Sequence, residues 1–588
     1  MISRFLVLVG QRAGEIAGRH SAAIHTNLPQ RCQAGGLQLF TPVDAPVIPL
    51  PAIDGWVIGR LFSRDGSMPV DMIPSHHQLA IGSTRGAHLL AHWSGSYAAF
   101  WQERSGRSVS VLRDPSATQA VYRIDGAGWR GFASDVELLQ KCSLLVPRSN
   151  PSAVAHFLRF PLLPSSATCL DGVTEVLPGE RLDDDDGQIS RTQLWSPFSF
   201  CRQPTTIRAS ERDRMSLAAA IDQVVAGWTH RFAPLLLELS GGLDSSVIAA
   251  ALAKAASPWT NVTIATESSD GDERAYARLV ADATGSRLTE LHLDHGDADP
   301  LSEPTRLMPR PGGLGIQRGF DRLVVAHLDD SDAKAIISGT GGDNVFCLLA
   351  SSAPVLDAWQ AGGSKLALNV AGAVAALTGT TIPDVFSHAA RRWISMRYRR
   401  RRWLPEDLFL SRDARPAPHA HPWLDLPRET PHGSWAHIAG ILRVHPVLEA
   451  HDRASDRQML FPLLTQPVLE ACLAIPSWQW IDGGRDRAVV RDAYAGRLPA
   501  SVLSRRRKGH LTTTFARAYE LNRARLRELL CGGLLAEAGL LDRNALEVFL
   551  SLPVATASPD WYRIIELADA ELWARLVRDR GTGCAASD

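Results

Sequence analysis

The chain lacks several features that would point to particular classes of protein. Its 62 Lys and Arg residues are balanced by 62 Asp and Glu residues, so the formal net charge is zero. No global electrostatic field therefore attracts nucleic acid or an acidic membrane. The eight cysteines contain no Cys-x-x-Cys pair and no metal-type spacing to histidine. This pattern is typical of reduced thiols in a long chain.

Long apolar runs are also scarce. The apolar run at residues 5–9 is too short for the core of a signal peptide. The longest apolar stretch, residues 366–377, includes Asn369 and is too short to cross a bilayer. We therefore expect a cytoplasmic protein. With 588 residues, 45% apolar and 21% charged, the chain is large enough for two or more globular domains.

The N-terminal third is rich in short β-type runs separated by turn residues. One helix is predicted at 152–160, and strands are predicted at 5–9, 56–61, 97–101 and 108–112. The acidic run 183–186, followed by Gly187, is predicted to be a solvated hairpin tip. A metal site there is disfavoured, because adjacent side chains on a turn or strand diverge.

From about residue 208 strands and helices alternate, which is typical of a doubly wound parallel sheet. Helices are predicted at 216–229, 246–256 and 273–284, and strands at 234–239, 262–266, 288–293 and 335–337. The rest is predicted to be mostly helical. The basic run 399–402 is interpreted as a helix surface or, alternatively, as a docking patch for an acidic partner.

A glycine-rich loop joins the strand at 234–239 to a helix. Its residues are Ser240, Gly241, Gly242, Leu243, Asp244, Ser245 and Ser246. Backbone N–H groups and the helix dipole favour anions at such a junction, and glycines let phosphate oxygens come close. The serines add hydroxyl donors, and Asp244 suits a magnesium ion that bridges phosphates. We predict an ATP site; the alternative is a tight turn with a serine cap.

A second carboxylate is expected beside Asp244, because departing pyrophosphate concentrates negative charge that one magnesium ligand would offset poorly. The candidate is Asp343, which follows Ser338, Gly339, Thr340, Gly341 and Gly342. This segment lies at the carboxyl end of a predicted strand, where open α/β sheets bind ligands. The alternative interpretation is a plain turn formed by Asp343 and Asn344.

The glycine loop lacks the Lys-[Ser/Thr] ending of a Walker loop and resembles the pyrophosphatase loop of enzymes that adenylate their substrates. Together with the Asp343 segment, it makes the chain similar to asparagine synthetase-like enzymes along most of its length. Segments that resemble the glutaminase half of that family are 92–98, 112–115, 132–135 and 172–179, with Trp195. Segments that resemble the synthetase half are 338–346, 498–502 and 508–509.

The resemblance implies a fold for each half of the chain. Residues 1–205 would form an α+β glutaminase-like sandwich of the Ntn type, a degenerate class II glutamine amidotransferase-like domain. Residues 206–588 would form an α/β parallel-sheet ATP-pyrophosphatase domain, similar to the adenine nucleotide alpha hydrolases, with a helical C-terminal part.

The N-terminal half departs from the family at its nucleophile. Glutaminases of this kind use a cysteine at position 2, whereas this chain has Ile2 and no cysteine before Cys32. An isoleucine cannot attack an amide, and the glutamine-holding Asn-Gly-Glu segment is not recognisable. We expect this domain to release no ammonia and to be structural or substrate-binding.

Without ammonia, the activated carboxylate needs another amine. Two branches of the family take it from the substrate, the β-lactam synthetases and the lasso-peptide cyclases. The second resembles this chain more closely, at residues 240–246, 272–277, 341–346 and 505–509. That resemblance implies that an Asp or Glu side chain of a precursor peptide is adenylated. The α-amine of the peptide then closes a macrolactam.

The same resemblance implies a role for individual residues. Those expected to bind ATP are Ser240, Gly241, Gly242, Asp244, Ser245, Ser246, Ala265, Ser338 and Gly339, and those expected to bind Mg²⁺ are Asp244 and Asp343. Lys508 would stabilise charge on the phosphate or the oxyanion, with Arg505 or Arg507 as substitute. The alternative for Lys508 is a surface basic run.

Two further positions carry open interpretations. Glu273 is either a helix cap or a functional residue near the nucleotide. Thr340 stands where asparagine synthetases have Glu and β-lactam synthetases have Tyr, so the proton acceptor is unassigned.

Other functions stay open from the sequence. The chain could join ammonia to a small amino acid, act on a small molecule with an internal amine, or be an inactive scaffold. By resemblance, the partners would be a precursor peptide, a leader-peptide-binding protein and a cysteine peptidase. We expect no nucleic acid and no membrane insertion.

Overall fold

The computed structural model describes most of the chain as three sheets surrounded by helices. The residues that it describes are 3–102, 108–185, 187–266, 271–294, 296–312, 314–398, 403–417, 419–427, 429–451, 457–506, 509, 511–552 and 560–585. The predicted catalytic Lys508, its substitute Arg507 and the basic run 399–402 lie outside these residues.

Two antiparallel sheets occupy the N-terminal part. Their strands are β1 Leu6–Val9, β2 Gln30–Ala34, β3 Leu37–Thr41, β4 Val47–Leu50, β5 Gly55–Ser63, β6 Pro69–Val70, β7 Trp93–Gln102, β8 Ser108–Arg113, β9 Tyr122–Gly126, β10 Trp129–Ala133, β11 Val173–Glu175, β12 Glu180–Asp185 and β13 Gln188–Gln193. The first sheet has the order β11-β9-β10-β1-β3-β2. The second has the order β13-β12-β8-β7-β5-β4, with β6 paired to β5.

The two sheets face each other across a shared apolar core. Val7 and Leu39 of the first sheet belong to the same buried cluster as Ile58 and Phe100 of the second. The ring of Phe100 lies 5.5 Å from that of Phe5, between centroids. Side chains that alternate along each strand thus supply an inner face to the sandwich. The predicted N-terminal sandwich is confirmed.

Short helices cover the outer faces of this sandwich. They are α1 Ala13–Arg19, α2 Ser21–Asn27, α3 Ser75–Ser83, α4 Ala87–His92, α5 Val136–Lys141 and α6 Pro151–Arg159. Four of them, α1, α2, α5 and α6, pack with the first sheet, whereas α3 and α4 pack with the second. The helix predicted at 152–160 is α6.

The acidic run leads into the hairpin between β12 and β13, as predicted, but its first two members are buried in β12 and are not solvated. Asp183 accepts hydrogen bonds from Ser110 Oγ at 2.7 Å and Arg181 Nε at 2.9 Å. Asp184 Oδ2 lies 3.0 Å from Arg130 Nε. Neighbouring strand residues point to opposite faces, so each carboxylate has its own arginine. The predicted solvation was wrong for Asp183 and Asp184, and the partner of Asp184, Arg130, is distant in the sequence.

The C-terminal part contains five parallel strands in the order β16-β15-β14-β17-β18. Their bounds are β14 Leu235–Glu238, β15 Trp259–Thr266, β16 Leu288–Leu293, β17 Ala335–Ser338 and β18 Gln458–Leu460. The predicted parallel α/β sheet is confirmed, and β18 is a strand that the sequence pattern did not predict.

Helices make up most of the remaining described residues. They are α7 Glu211–Phe232, α8 Leu243–Ala255, α9 Arg274–Thr284, α10 Gly315–Asp329, α11 Gly342–Val345, α12 Ala353–Thr378, α13 Ile382–Tyr398, α14 His432–Leu442, α15 His445–Leu448, α16 Gln466–Leu473, α17 Ala488–Ala493, α18 Ala500–Leu503, α19 Thr512–Cys531, α20 Leu534–Glu537, α21 Arg543–Ser551 and α22 Asp560–Ala585. The helical C-terminal part agrees with the prediction. The boundary at residue 205 stays a prediction.

The apolar stretch 366–377 lies in α12 and packs against the core. Val370 and Val374 share a buried cluster with Trp478 and Ile481. Among the described residues, no single helix has the length and apolar character needed to cross a membrane. By length and composition alone, only the pair Ala353–Thr378 and Ile382–Ser395, bent by 108°, meets that requirement.

A buried ionic network joins the sandwich to the parallel-sheet part. Glu175 in β11 lies between two arginines, with Arg113 Nη1 at 2.6 Å from Oε1 and Arg310 Nη2 at 2.6 Å from Oε2. Close by, the hydroxyl of Tyr122 donates to Glu449. Burial alone would raise the pKa of Glu175, but Arg310 and Arg113 outweigh it and lower that pKa.

We predict that Glu175→Gln destabilises the protein by about 3–5 kcal/mol, because it leaves two buried arginines without their shared carboxylate. Thermal and urea unfolding followed by circular dichroism measure the loss. The folded-state pKa of Glu175 is lowered from an ordinary value of about 4.3. Its contribution is therefore complete above that pH and is lost as the pH falls through the lowered pKa.

The matched control for this prediction is Glu15→Gln. Glu15 pairs with Arg12 on the surface, where both side chains are about half exposed, and solvent screens such a pair. Equal melting temperatures for the two variants would show that the junction network contributes no more than a surface pair.

Candidate active site

The glycine loop follows β14 and leads directly into α8. Leu235, Leu236 and Leu237 are fully buried, which anchors the strand below the loop. Gly241 has a φ of +68°, and a Cβ atom there would lie 2.5 Å from the backbone nitrogen of Ala277. Only glycine tolerates this combination of a left-handed backbone and close approach. The loop is thereby pressed against the start of α9.

The hydroxyl groups of Ser240 and Ser245 make only long hydrogen bonds within the loop. Ser240 Oγ accepts from Gly242 N, and Ser245 Oγ accepts from Ser240 N, each at 3.3 Å. Ser246 Oγ donates to Gly242 O at 2.7 Å. The N-cap of α8 is Gly242, with no side-chain cap hydrogen bond. The alternative of a serine-capped turn was therefore wrong, and the N-cap residue of α8 contributes no side chain to the first amides of the helix.

A second loop lies beside the first because β14 and β17 are neighbours in the parallel sheet. Glu238 is in register with Ser338, so both strands end at the same height. A Cβ atom on Gly339 would lie 2.8 Å from Ser245 N, and one on Gly342 would lie 2.3 Å from Asp244 Cγ. The two glycine segments are thus packed against each other without room for a side chain.

This packing brings Asp244 and Asp343 together, as the sequence predicts for the metal pair. Arg487 Nη1 donates to Asp343 Oδ1 and also contacts Asp244 Oδ1, the latter at 3.2 Å. Asp343 lies in the first turn of α11, and Asn344 donates from Nδ2 to Gly440 O at 2.8 Å. Asp343 is therefore in a helix, not in the plain turn of the alternative interpretation, while Asn344 holds α11 against α14.

Sequence reasoning missed Arg487, which is the cation nearest to both carboxylates among the described residues. Its own neighbour Asp486 lies 3.1 Å from Nε. Burial alone would lower the pKa of Arg487, but the carboxylates of Asp244, Asp343 and Asp486 outweigh it and raise that pKa. The only local signal was a charged Arg-Asp-Arg run ahead of α17, which equally describes an exposed turn.

Glu273 connects the glycine loop to the segment that contains the predicted catalytic cations. Its Oε1 accepts from Arg505 Nη2 at 2.7 Å and from Gly509 N at 2.9 Å. Glu273 is the N-cap residue of α9, as the helix-cap interpretation expects, but its carboxylate makes no cap hydrogen bond and binds Arg505 and Gly509 instead. Arg505 also stacks on the ring of Tyr276 at 4.0 Å and approaches Gly241 O at 3.5 Å. The structure therefore places Arg505 beside the loop.

The remaining predicted nucleotide residues line the same edge of the sheet. Ala265 is buried near the end of β15, the strand next to β14. The following Thr266 has a buried Oγ1 with no hydrogen-bond partner among the described residues. Ser338 Oγ lies 2.9 Å from Thr340 Oγ1. Three features suit the binding of a nucleotide polyphosphate. The Thr266 hydroxyl has no partner among the described residues, several hydrogen bonds of the loop serines are long, and the N-cap residue of α8 is a glycine.

Comparison with known proteins identifies the family. The sequence model of the family described as Asparagine synthase matches residues 216–575, which is more than half of the chain. The chain belongs to the asparagine synthase family. It is accordingly an ATP-dependent ligase that forms amide bonds. The matched range includes both glycine segments, Glu273, Arg487 and Arg505.

Solved structures give lower levels of similarity. The allosteric regulatory enzyme of purine biosynthesis aligns at 10% identity and a TM-score of 0.22, covering 51% of this chain and 82% of that chain. Glutamine phosphoribosylpyrophosphate amidotransferase from B. subtilis aligns at 11% identity and a TM-score of 0.22, covering 51% and 83%. No curated protein matches the chain.

We predict that Gly342→Ala reduces the rate of ATP consumption by about 100-fold, because the added methyl group displaces the carboxylate of Asp244 by around an ångström. Gly372→Ala in α12 is the control, since its Cβ atom would meet only Ile382 Cδ1 at 3.9 Å. Equal ATP consumption by the two variants, with unchanged circular dichroism, would contradict the tight packing of the two loops.

We also predict that Glu273→Gln lowers kcat roughly tenfold, because Arg505 and Gly509 lose the carboxylate that holds both of them beside the loop. Steady-state kinetics with varied ATP measure kcat and KM separately. Glu290→Gln is the matched control. Glu290 Oε1 lies 2.5 Å from Arg278 Nε, and this ion pair is not part of the loop. A wild-type kcat in Glu273→Gln would show that this tether does not contribute to turnover.

Proposed function

We propose that this enzyme closes a macrolactam in a peptide, as lasso-peptide cyclases do. It would adenylate an Asp or Glu side chain of the peptide with Mg-ATP and then join it to the N-terminal amine. The observation that supports the activation step best is the convergence of Asp244 and Asp343 at the uncapped N-terminus of α8.

The residues at this edge of the sheet fit ATP and magnesium. Under this proposal the backbone around Gly241 and Gly242, with Ser240, Ser245 and Ser246, holds the phosphates. Ala265, Ser338 and Gly339 line the rest of the nucleotide. Asp244 and Asp343 hold Mg²⁺, which supplies positive charge to the departing pyrophosphate.

The two chemical steps balance as follows. A side-chain carboxylate oxygen of the peptide attacks the α-phosphorus of ATP, the bond to the β-phosphate oxygen breaks, and pyrophosphate leaves. The peptide amine then attacks the acyl carbon, the acyl–oxygen bond to AMP breaks, and the amine loses a proton. Arg505, tethered by Glu273 beside the loop, would stabilise negative charge during these steps, together with Lys508.

The identity of the nucleophile rests on the sequence. With Ile2 at position 2, the N-terminal half has no thiol where the glutaminases of this family have theirs. Under this proposal the amine comes from the peptide and not from glutamine-derived ammonia. The Gly-Gly-Asp-Asn-Val-Phe segment at 341–346 favours the peptide-cyclising branch. A leader-peptide-binding protein and a cysteine peptidase would supply the trimmed peptide.

The test uses the full-length chain, Mg-ATP and a candidate core peptide whose N-terminal amine and internal Asp or Glu are free. Mass spectrometry should show loss of one water from the peptide, with one AMP formed for each ring. Conversion of aspartate and ammonium to asparagine, without any peptide turnover, would favour a small-molecule synthetase instead. Absence of peptide-dependent exchange of pyrophosphate into ATP would favour an inactive scaffold.

We predict that Asp244→Ala lowers AMP formation by a factor of about 1000 or more, because the departing pyrophosphate loses its charge stabilisation. Chromatographic detection of AMP measures the effect, and circular dichroism checks that the fold is retained. Asp282→Ala on the exposed side of α9 serves as the control. AMP release at the wild-type rate in Asp244→Ala would place the site elsewhere.

A further inference from the structure

Arg487 occupies the position between the two carboxylates that the proposed function assigns to magnesium. A single nitrogen, Nη1, is hydrogen-bonded to Asp343 Oδ1 and lies 3.2 Å from Asp244 Oδ1. Two neighbouring carboxylates repel each other unless a cation lies between them. Arg487 supplies that cation.

The guanidinium is held in place from its other side. Arg487 has a φ of +47° at the N-cap of α17, a left-handed conformation that is uncommon for a residue with a side chain. Asp486 Oδ1 accepts from Arg487 Nε at 3.1 Å and from Arg491 Nη2 at 2.7 Å. Arg491 in turn donates to the backbone carbonyl of Leu503 at 2.7 Å. The contacts with Asp486 therefore hold the guanidinium of Arg487 so that its Nη1 faces Asp244 and Asp343.

The net charge of the cluster around Arg487 is negative, which suits the binding of a further cation. Asp244, Asp343 and Asp486 bring three negative charges, whereas Arg487 and Arg491 bring two positive ones. The side chain of Asp343 is 38% exposed and that of Arg487 is 12% exposed. An incoming ion therefore reaches the cluster from the side of Asp343, and Arg487 is the more enclosed partner.

We propose that Arg487 is an exchangeable internal counter-ion, which bridges Asp244 and Asp343 until a nucleotide-bound divalent metal ion replaces it. This inference rests on the proposed function. Mg²⁺ sits at about 2.0–2.1 Å from its carboxylate ligands, so it cannot share the bridging position with a guanidinium nitrogen. The two cations compete for the same pair of oxygens.

The exchange couples the metal to the nucleotide. When the metal ion arrives alone, Arg487 loses two acceptors and gains none, so the exchange is unfavourable. When the metal arrives with ATP, the displaced guanidinium can donate to phosphate oxygens, which match its planar geometry. Asp486 keeps it close enough to do so. Metal without nucleotide is thereby kept out of the site.

The test titrates the nucleotide-free, full-length protein with Mn²⁺ and follows free Mn²⁺ by electron paramagnetic resonance. We expect Arg487→Met to bind Mn²⁺ at least about tenfold more tightly than the wild type, because the competing cation is gone. Equal or weaker binding would overturn the inference, since it would mean that Arg487 only holds the carboxylates in place. Arg487→Gln carries the same expectation if Arg487→Met does not fold.

Two controls define the effect. Arg485→Met removes a nearby arginine that pairs with Asp482 and Asp492, and it should bind Mn²⁺ as the wild type does. Arg487→Lys keeps the charge and should stay within about threefold of the wild type. If Arg485→Met bound Mn²⁺ more tightly by a similar factor, the effect would come from general surface charge, and the inference would be overturned.

A second measurement adds an ATP analogue whose α,β-bridge is a methylene group. In the wild type the analogue should tighten Mn²⁺ binding strongly, and in Arg487→Met it should do so several-fold less. If the analogue tightens Mn²⁺ binding by the same factor in both proteins, the proposed exchange of Arg487 for the metal ion is overturned.

The outcomes also separate this inference from the proposed function. Adding Asp244→Asn to Arg487→Met should abolish the tight Mn²⁺ site, and its persistence would overturn both the inference and the metal assignment. If Arg487→Met binds Mn²⁺ tightly but the wild-type protein cyclises no peptide, the proposed function alone is overturned.

Discussion

The candidate site depends on one contact, the close packing of two glycine segments at the carboxyl edge of the parallel sheet. Gly339 lies against Ser245, and Gly342 lies against Asp244, at distances that exclude a Cβ atom. The contact follows from the pairing of β14 with β17, which ends both strands at one height. Because the two segments cannot separate without losing this packing, Asp244 and Asp343 are held together on rigid elements.

Much of this arrangement could be predicted from the sequence, since its signals are local. Buried apolar strands, a glycine loop and an apolar helix follow one another along the chain, and parallel strands align their carboxyl ends by necessity. The strand β18 has no such signal. It is only the three residues Gln458–Leu460, and it is added to β17 after more than a hundred residues of mainly helical chain. Only tertiary packing selects so short a strand.

The errors in the site have a common physical cause, which is that charge partners come from distant parts of the sequence. Asp183 and Asp184 form an acidic run, yet Asp183 pairs with Arg181 of its own strand and with the distant Arg85, and Asp184 pairs with Arg130 of β10. Arg487 follows Asp343 by more than a hundred residues and was missed for the same reason. A run of charges predicts exposure only when its counter-charges are absent, and a single sequence does not show which distant residues will meet.

The N-terminal sandwich is joined to the ligase half by buried charges. Arg113, which belongs to the segment that resembles the glutaminases, bonds Glu175 and the carbonyls of Ala117, Gln119 and Val176. Glu175 also binds Arg310 of the other half. Removing Arg113 would leave these buried carbonyls and one oxygen of Glu175 without this donor. Arg113 thus stabilises the junction from within the sandwich, while Arg310 binds the same carboxylate from the ligase half.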